Sequence, residues 1–332
     1  MILAGDVGGT KIRLACFTLK KEKLVSVAER TVSTAAYKTF GTIIKEFLKN
    51  HSVFVKGACF AVAAPIVDGC SQLVNLPWRV DAEILRETLK FDQVGLINDL
   101  EATAYGIEKL PETALAVLQP GKPVSNGNIA VIAAGTSLGE AMMVWDGKRY
   151  RAIASEGGHA DFAPRSPLEL ELARRLFKKF EHASYARLVS GPGLLEIYLF
   201  LRKMGVAREP KWLKTELDKG NPAALISEHG LTGRSELCVE ALHLFVSIYG
   251  AEAGNLALRT MARGGVYIGG GIAPKIVQKL KDGVFMKSFL SKGRLTSFLA
   301  TIPVKVILDE KTALYGAAYY GLDSASQRKK SR

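Results

Sequence analysis

Two glycine turns, each set between apolar strands, limit what this chain can fold into. The first is "GDVGGT" at residues 5–10, between "MILA" and "KIRLACFTL". The second is "AGTSLG" at residues 134–139, between "NIAVIA" and "EAMMVW". Glycine is needed in a tight turn where φ is positive or where a ligand approaches the backbone. Because successive turn amides can form an anion-binding nest, the sequence predicts a pair of phosphate-binding hairpins.

The order of apolar segments predicts an α/β chain with two domains. Strands alternate with amphipathic helical patterns such as "AAYKTFGTIIKEFLKN", and 332 residues favour two domains at about 100–200 residues each. We assign 1–110 together with 302–332 to a small, discontinuous α/β domain, and 111–301 to a larger α/β domain with helical insertions. In this assignment the strand "VKVIL" and the helix "TALYGAAYYGL" return to the small domain, and a cleft is expected between the two domains.

Composition predicts a cytoplasmic protein with no membrane partner. The chain is 48% apolar and 23% charged, and no segment stays apolar for 18 residues. The longest candidate, residues 238–262, carries Glu240, Glu252 and Arg259, so we expect a buried core helix. The charged Asp6 comes too early for a signal peptide. Four scattered cysteines without CxxC spacing fit a reduced compartment and disfavour a structural zinc site.

The net charge of +13 favours contact with polyanions in general. Its basic residues are spread along helical segments such as "LARRLFKKFEH" and the C-terminal "RKKSR", without a helix–turn–helix or an RNA-binding aromatic signature. We therefore expect a solvated basic surface and no nucleic-acid partner. The same positive field would favour nucleotide phosphates.

The first turn, "DVGGTK", has the chemistry of a phosphate and metal site. Gly8 and Gly9 let a ligand approach the backbone, Thr10 adds a hydroxyl donor, and the cation Lys11 follows. Asp6 would repel phosphate by itself, but Mg²⁺ held through a water molecule would bridge the two. A plain glycine hairpin with an exposed aspartate is the competing interpretation. Neither GxxxxGK[ST] nor GxGxxG spacing occurs, which disfavours a P-loop or dinucleotide fold.

The other glycine motifs extend this nucleotide prediction. Gly135 and Thr136 repeat the Gly-Thr element, and Ser137 could add another hydroxyl donor. In "YIGGGIAP", glycines around Gly270 follow an apolar strand and precede a helical pattern, leaving a flat surface on which a purine could lie. Simple entry into a helix is the alternative.

"LINDLEA" places Asn98 and Asp99 after a strand and before a helix. Either residue is a good N-cap, and capping alone would explain both. The carboxyl end of a strand is also where α/β proteins place their chemistry, and an aspartate there can take a proton from an attacking hydroxyl. Both interpretations remain open from the residues alone.

"SEGGHADFAP" suits the binding of a polyol. Glu156 and His159 flank two glycines, and a carboxylate with an imidazole can hold vicinal hydroxyls. A metal site using His159 and Asp161 is disfavoured because no third ligand is evident. In "VNLPW", Asn75 is either another hydroxyl partner or a turn residue.

Six segments in register carry a resemblance to a known family: "GDVGGTKIRLA", "LINDLEATAYGI", "AGTSLGEA", "EGGHADFAP", "RLVSGPGL" and "GGGIAP". The chain resembles the bacterial glucokinases of the actin-like, hexokinase-type ATPase superfamily, from Ile2 to about Leu322. The resemblance implies a two-domain actin-like ATPase (ribonuclease H-like) fold, in which a cleft closes on the sugar, and a homodimer. It also implies phosphorylation of the 6-hydroxyl of glucose from ATP with Mg²⁺.

The resemblance also implies residue roles. Asp99 would be the catalytic base, and Asn98, Glu156 and His159 would hold glucose hydroxyls. The phosphates would be cradled by the two turns, through Gly8, Gly9, Thr10, Gly135 and Thr136. Gly270 and its neighbours would line the adenosine site.

Two positions depart from the family pattern. Ala186 in "SYARLVSGPGL" stands where the family has a glutamate that contacts sugar, and Ser137 stands where it has glycine. Three alternatives stay open: a kinase for another hexose such as mannose or glucosamine, a kinase using polyphosphate, which the net charge of +13 would suit, and a sugar-sensing regulator without activity.

Overall fold

The computed structural model describes residues 1–21, 23–73 and 76–330. The chain divides into two compact units, Met1–Glu112 with Asp309–Arg332, and Thr113–Leu308. The strands of the first unit are β1 (Ile2–Val7), β2 (Lys11–Lys20), β3 (Lys23–Ser33), β4 (Gly57–Val62), β5 (Cys70–Gln72), β6 (Arg79–Asp81) and β7 (Gln93–Asn98). Its helices before the chain leaves the unit are α1 (Phe40–His51), α2 (Ala82–Leu89) and α3 (Asp99–Ile107).

The second unit contains a second sheet and most of the helices. Its strands are β8 (Leu115–Gln119), β9 (Ile129–Ala134), β10 (Leu138–Trp145), β11 (Tyr150–Ser155), β12 (Gly265–Gly269) and β13 (Val304–Ile307). Its helices are α4 (Pro167–Phe180), α5 (Gly191–Lys203), α6 (Lys211–Lys219), α7 (Pro222–Leu231), α8 (Glu236–Thr260), α9 (Val277–Leu280), α10 (Val284–Leu290) and α11 (Thr296–Leu299). The chain then returns to the first unit as α12 (Thr312–Lys330).

The sheet of the first unit has the order β3-β2-β1-β4-β7, and β1, β4 and β7 run parallel. Alternate residues of these strands feed two cores. Leu3 and Phe60 pack with α1 on one face, whereas Ala4 and Cys59 pack with α3 and α12 on the other. Every residue of β4 is buried because both faces of the sheet are covered.

The sheet of the second unit has the order β11-β10-β9-β12-β13-β8. Its central strands pack against α8, and the described part of this unit forms one large core. By length and composition α8 is the single helix among the described residues that could cross a membrane, but most of its residues are buried. The prediction of a buried core helix here is confirmed.

The placement of residues 302–308 in the small domain is wrong. Strand β13 runs parallel to β12, with Val304 beside Val266 and Val306 beside Ile268. Both valines are buried in the core of the second unit. The chain therefore joins the first unit only at Asp309, after β13 has completed the second sheet.

The predicted helix in "APKIVQKLKDG" is shorter than expected. Residues 270–276 form turns, and α9 spans only the four residues Val277–Leu280. Gly270 has a positive φ of 83°, which is not a helical conformation, so the chain leaves β12 in a turn. The sequence analysis did not predict strands β5, β6, β8 and β11 or helices α6, α10 and α11.

Candidate active site

The first glycine turn joins β1 to β2 and is braced from β3. The Gly8 amide donates to the Lys11 carbonyl at 3.1 Å and closes the turn. Just after β3, the Thr34 hydroxyl donates to the Gly9 carbonyl at 2.9 Å and the Thr34 amide donates to the Thr10 carbonyl at 3.1 Å. Thr10 and Lys11 are exposed, so this braced turn presents a hydroxyl and a cation to solvent.

The parallel strands of the first sheet bring Asp6 and Asp99 to one edge. Val7 pairs with Val62 of β4, which pairs with Asn98 of β7. Because β1 and β7 are separated by one strand at the usual spacing, the two strand ends lie about 10 Å apart. The sheet therefore places one carboxylate beside the glycine turn and another two strands away.

Asn98 and Asp99 cap α3 at this edge. The side-chain oxygen of Asn98 accepts from the Leu100 amide at 2.8 Å, and Glu101 accepts from the Asn98 amide at 3.1 Å, which forms a capping box. Asp99 Oδ1 also accepts from the Leu100 amide, at 2.9 Å. The capping role predicted for Asn98 is confirmed, and these bonds hold both side chains at the carboxyl end of β7.

The second glycine turn lies in the second unit, between β9 and β10. The Gly135 amide donates to the Ser137 carbonyl at 2.9 Å, and the Gly135 carbonyl accepts from the Gly191 amide at the start of α5, also at 2.9 Å. Thr136 and Ser137 are exposed. The hydroxyl of Tyr249 on α8 bonds the Ala134 amide at 3.3 Å, so the strand end before the turn is held from the core.

Gly270 packs directly on that strand end. A Cβ at Gly270 would lie 2.3 Å from the Ala134 carbonyl oxygen, a distance no real Cβ tolerates. The Ile272 amide donates to the same oxygen at 3.3 Å. The structure therefore brings the Gly270 segment together with the second glycine turn.

The loop carrying Glu156 and His159 contacts the same hairpin. Residues Gly157–His159 form a 3-10 turn closed by the bond from the His159 amide to the Glu156 carbonyl at 2.9 Å. A Cβ at Gly158 would lie 2.1 Å from the Leu138 carbonyl oxygen, so the loop rests on the start of β10. Both Glu156 and His159 are exposed and available to a ligand.

The structure does not place Asp161 or Asn75 with the other predicted site residues. Asp161 bonds His182 at 2.9 Å, and the described residues contain no cluster of three His, Cys, Asp or Glu that could hold a metal ion. Asn75 lies outside the described residues.

The sequence model of the family described as Glucokinase matches residues 3–324. The chain belongs to the glucokinase family. A glucokinase from Synechocystis sp. is 42% identical over 342 residues, which cover 95% of this chain and 96% of that protein. The resemblance inferred from the six segments is thus confirmed.

Solved structures of glucokinases have the same fold as this chain. A glucokinase from an Antarctic psychrotroph is 31% identical, with a TM-score of 0.83 over 96% of this chain and 97% of that one. A ROK family glucokinase from Streptomyces griseus, solved with glucose and AMPPNP, has a TM-score of 0.66 over 97% of this chain and 99% of its own. It is 18% identical and shows the fold alone. As a member of the glucokinase family, the chain has the two-domain actin-like ATPase fold and phosphorylates glucose with ATP.

Asp6 of this glucokinase family member has the properties of a cation partner. Burial raises the pKa of its carboxyl group, and the charges of Arg13 and Lys11 lower it by less. Arg13 lies opposite Asp6 on β2, but its guanidinium bonds the carbonyl of Glu310 at 2.9 Å. Asp6 forms no hydrogen bond or ion pair within the described part of the chain. A half-buried carboxylate without a hydrogen bond, beside the first glycine turn, fits a hydrated Mg²⁺.

Ala186 offers no polar side-chain group to a sugar. It lies in the 3-10 turn Tyr185–Arg187, where its side chain is buried and its carbonyl accepts from the Ser190 hydroxyl at 2.7 Å. The acceptor that the family pattern places here is therefore missing.

Two positioning residues, Thr34 and Tyr249, were missed by the sequence analysis. Thr34 braces the first turn and Tyr249 braces the strand end before the second. Tyr249 could have been suspected, because a tyrosine within an apolar helix needs a partner for its hydroxyl. Thr34 left no such signal, since it follows a strand by one residue and contacts the turn only through the fold.

Proposed function

We propose that this family member transfers the γ-phosphoryl group of ATP to the 6-hydroxyl of glucose with Asp99 as the general base. The observation that carries this assignment is the position of Asp99, fixed by the start of α3 at the same sheet edge as the first glycine turn. Asp99 would accept the proton of the 6-hydroxyl as the oxygen attacks phosphorus, late in a loose transition state. ADP leaves and the proton stays on the carboxyl group until solvent removes it.

We assign sugar binding to Asn98, Glu156 and His159. The Asn98 oxygen is used by the helix cap, so its amide nitrogen is the group that would donate to a hydroxyl. The exposed carboxylate and imidazole of the loop would bind further hydroxyls. Asn75 remains a proposed sugar contact, on the sequence alone.

We assign the phosphates of ATP to the two glycine turns, through Gly8, Gly9, Thr10, Lys11, Gly135 and Thr136. Exposed hydroxyls and turn amides supply donors there, and Lys11 supplies positive charge. The packing of Gly270 against Ala134 supports placing the adenosine next to the second turn. Phosphoryl transfer depends on positioning and charge neutralisation. Rigid turns would contribute the positioning, because they hold their donors in fixed places around the phosphates.

We propose that Asp6 holds Mg²⁺ through a water molecule. The ion, when bound, neutralises negative charge on the phosphates. Because the pKa of Asp6 is raised, its carboxyl gains a proton at higher pH than an ordinary aspartate, and protons compete with the cation as pH falls. The Mg²⁺ concentration needed for half-maximal rate should therefore rise toward acid pH.

Asp6→Asn should raise that Mg²⁺ requirement by about 10–100-fold, the usual cost of losing an outer-shell metal partner. It should also flatten the acid-side rise, because the amide does not titrate. Rates measured across Mg²⁺ concentrations at several pH values test this. The exposed Asp68→Asn is the matched control and should match the parent; equal Mg²⁺ curves for both variants would refute the assignment.

We also propose a homodimer located in the cytoplasm, the dimer on the family resemblance and the location on the four scattered cysteines, which suit a reduced compartment. Sedimentation equilibrium of the purified chain tests the dimer.

A panel of donors and acceptors tests the proposed reaction. ADP release is measured from MgATP with glucose, mannose, glucosamine, fructose or no sugar, and polyphosphate replaces ATP in a parallel series. We expect glucose with ATP to give the highest kcat/KM. A preference for mannose or glucosamine would assign the Ala186 departure to specificity, and transfer only from polyphosphate would overturn the donor. Sugar binding without any transfer would favour a regulator.

A further inference from the structure

Two buried carboxyl groups lie beneath the loop that carries Glu156 and His159, which we call the sugar loop. Glu140 of β10 is 1% exposed and Glu252 of α8 is 0% exposed. The guanidinium of Arg259 contacts both carboxyl groups. Two ionised carboxylates would repel each other in this buried site, so one bound proton stabilises the pair. Burial, reinforced by the charge of Glu252 and opposed by Arg259, raises the pKa of Glu140 to about 8.

Few positive charges compensate this pair. Arg259, also on α8, pairs with Glu252 and lies 3.6 Å from Glu140 Oε2. Asn255 donates to Glu252 at 2.8 Å, and the ammonium of Lys292 donates to Asn255 at 2.6 Å. Glu140 Oε1 receives no hydrogen bond from a described residue. An ionised Glu140 would therefore be a second buried negative charge without its own donor.

Two tyrosines complete the titratable surroundings. Tyr249 of α8 has its pKa raised by burial and, to a smaller extent, by the charge of Glu140. Tyr185 accepts from Asn255 at 3.0 Å, and burial raises its pKa to about 12. Both hydroxyls stay neutral near pH 8. Burial, together with the charges of Arg165 and Arg259, lowers the pKa of Lys292, whereas the charge of Glu252 raises it.

The pair touches the sugar loop through Gly157. Glu140 lies opposite Ser155 on β11, the residue before Glu156. A Cβ at Gly157 would lie 2.3 Å from Glu140 Oε2 and 3.0 Å from the Ser155 hydroxyl oxygen. The Gly157 amide also donates to that hydroxyl at 3.0 Å. The carboxyl group of Glu140 therefore lies next to the loop at Gly157, with less room between them than a methyl group needs.

We propose that the Glu140–Glu252 pair positions the sugar loop and makes glucose binding depend on the proton that the pair shares. With that proton, Glu140 donates to Glu252 and the loop holds Glu156 and His159 for the sugar. Without it, the two carboxylates repel each other, Glu140 moves against Gly157, and the loop loses its sugar-binding geometry. Glu140 is a positioning residue, and the inference rests on the proposed sugar-binding role of the loop.

The test is the KM for glucose and for ATP between pH 6.5 and 9.5. In the parent protein the KM for glucose should rise about tenfold between pH 7 and pH 9, because at one unit above its pKa about ten in eleven Glu140 groups are ionised. The KM for ATP should not follow this rise. Glu140→Gln keeps a donor toward Glu252 and cannot ionise, so its glucose KM should stay flat.

Two results would overturn the inference. One is a parent glucose KM that does not change across this range, a measurement that needs no variant. The other is the same rise in Glu140→Gln. Glu252→Gln gives a further check, because removing the neighbouring charge should move the rise to lower pH; an unmoved rise counts against the pair.

A separate variant distinguishes failure of the proposed sugar site. Glu156→Gln, which alters the loop side chain itself, should raise the glucose KM at least tenfold already at pH 7. If it does not, the sugar-binding role of the loop is wrong and the inference falls with it. If it does, and the parent shows no pH dependence, only the inference about Glu140 is wrong.

Discussion

Asp99→Asn should lower kcat for glucose phosphorylation by about 10²–10⁴-fold, the usual contribution of a general base. The amide has nearly the same shape as the carboxylate, and its oxygen can still accept from the Leu100 amide. It cannot take the proton of the attacking hydroxyl. Chemistry should therefore be lost while the start of α3 and the binding of glucose are preserved.

Glucose binding to Asp99→Asn, measured by calorimetry, should stay within a few-fold of the parent. Asp92→Asn is the matched control: Asp92 is exposed and precedes β7 at the opposite end of the strand that Asp99 follows. It should retain parental kcat. A loss below tenfold in Asp99→Asn with normal glucose binding would remove Asp99 from the role of base.

Gly270→Ala should destabilise the second unit by about 2–4 kcal/mol. Gly270 has a φ of 83°, and an added Cβ would lie 2.3 Å from the Ala134 carbonyl oxygen. A left-handed conformation costs an alanine about 1 kcal/mol, and overpacking adds about 1–3 kcal/mol. Tm should fall by roughly 5–10 °C, and the KM for ATP should rise because the displaced strand end carries the second glycine turn.

Gly271→Ala is the control for this prediction. No atom lies within 4 Å of a Cβ at Gly271, and its φ is not in the left-handed region. Its Tm should match the parent. Equal Tm values for the two variants in differential scanning calorimetry would show that Gly270 is not constrained by Ala134.

The glycine turns and the helix cap were predictable from the sequence because their causes are local. Gly8 and Gly9 in a two-strand turn, and Asn98 before an amphipathic helix, restrict the backbone within a few residues. The structure shows in addition that the first turn and Asn98 lie at one sheet edge, because β1, β4 and β7 run parallel. The structure adds the bonds that brace them, such as the one from Thr34 to Gly9.

The sheet that holds β13 could not be predicted. "VKVIL" alternates like any strand, and its position just before α12 favoured the wrong unit. Only the packing of Val304 and Val306 into the second core decides its place, and no local pattern reports which of two cores will receive a strand.

The Glu140–Glu252 pair was predictable only in part. Each acid interrupts an apolar segment, Glu140 in "LGEAMMVW" and Glu252 in "IYGAEAGNLAL". That pattern indicates a buried charge in each element. Their meeting at Arg259 depends on how α8 packs against the strands, which no local pattern reports.

The most direct test of the central claim identifies the product by ³¹P NMR. The purified chain is incubated with MgATP and glucose, and the new phosphate ester is located on the sugar from its coupling to carbon-bound protons. We predict one ester, glucose 6-phosphate, formed with an equal amount of ADP and absent when Asp99→Asn replaces the parent for the same time. An ester at another hydroxyl, or ADP formed without any sugar ester, would contradict the assignment of Asp99 and of this site to transfer onto the glucose 6-hydroxyl.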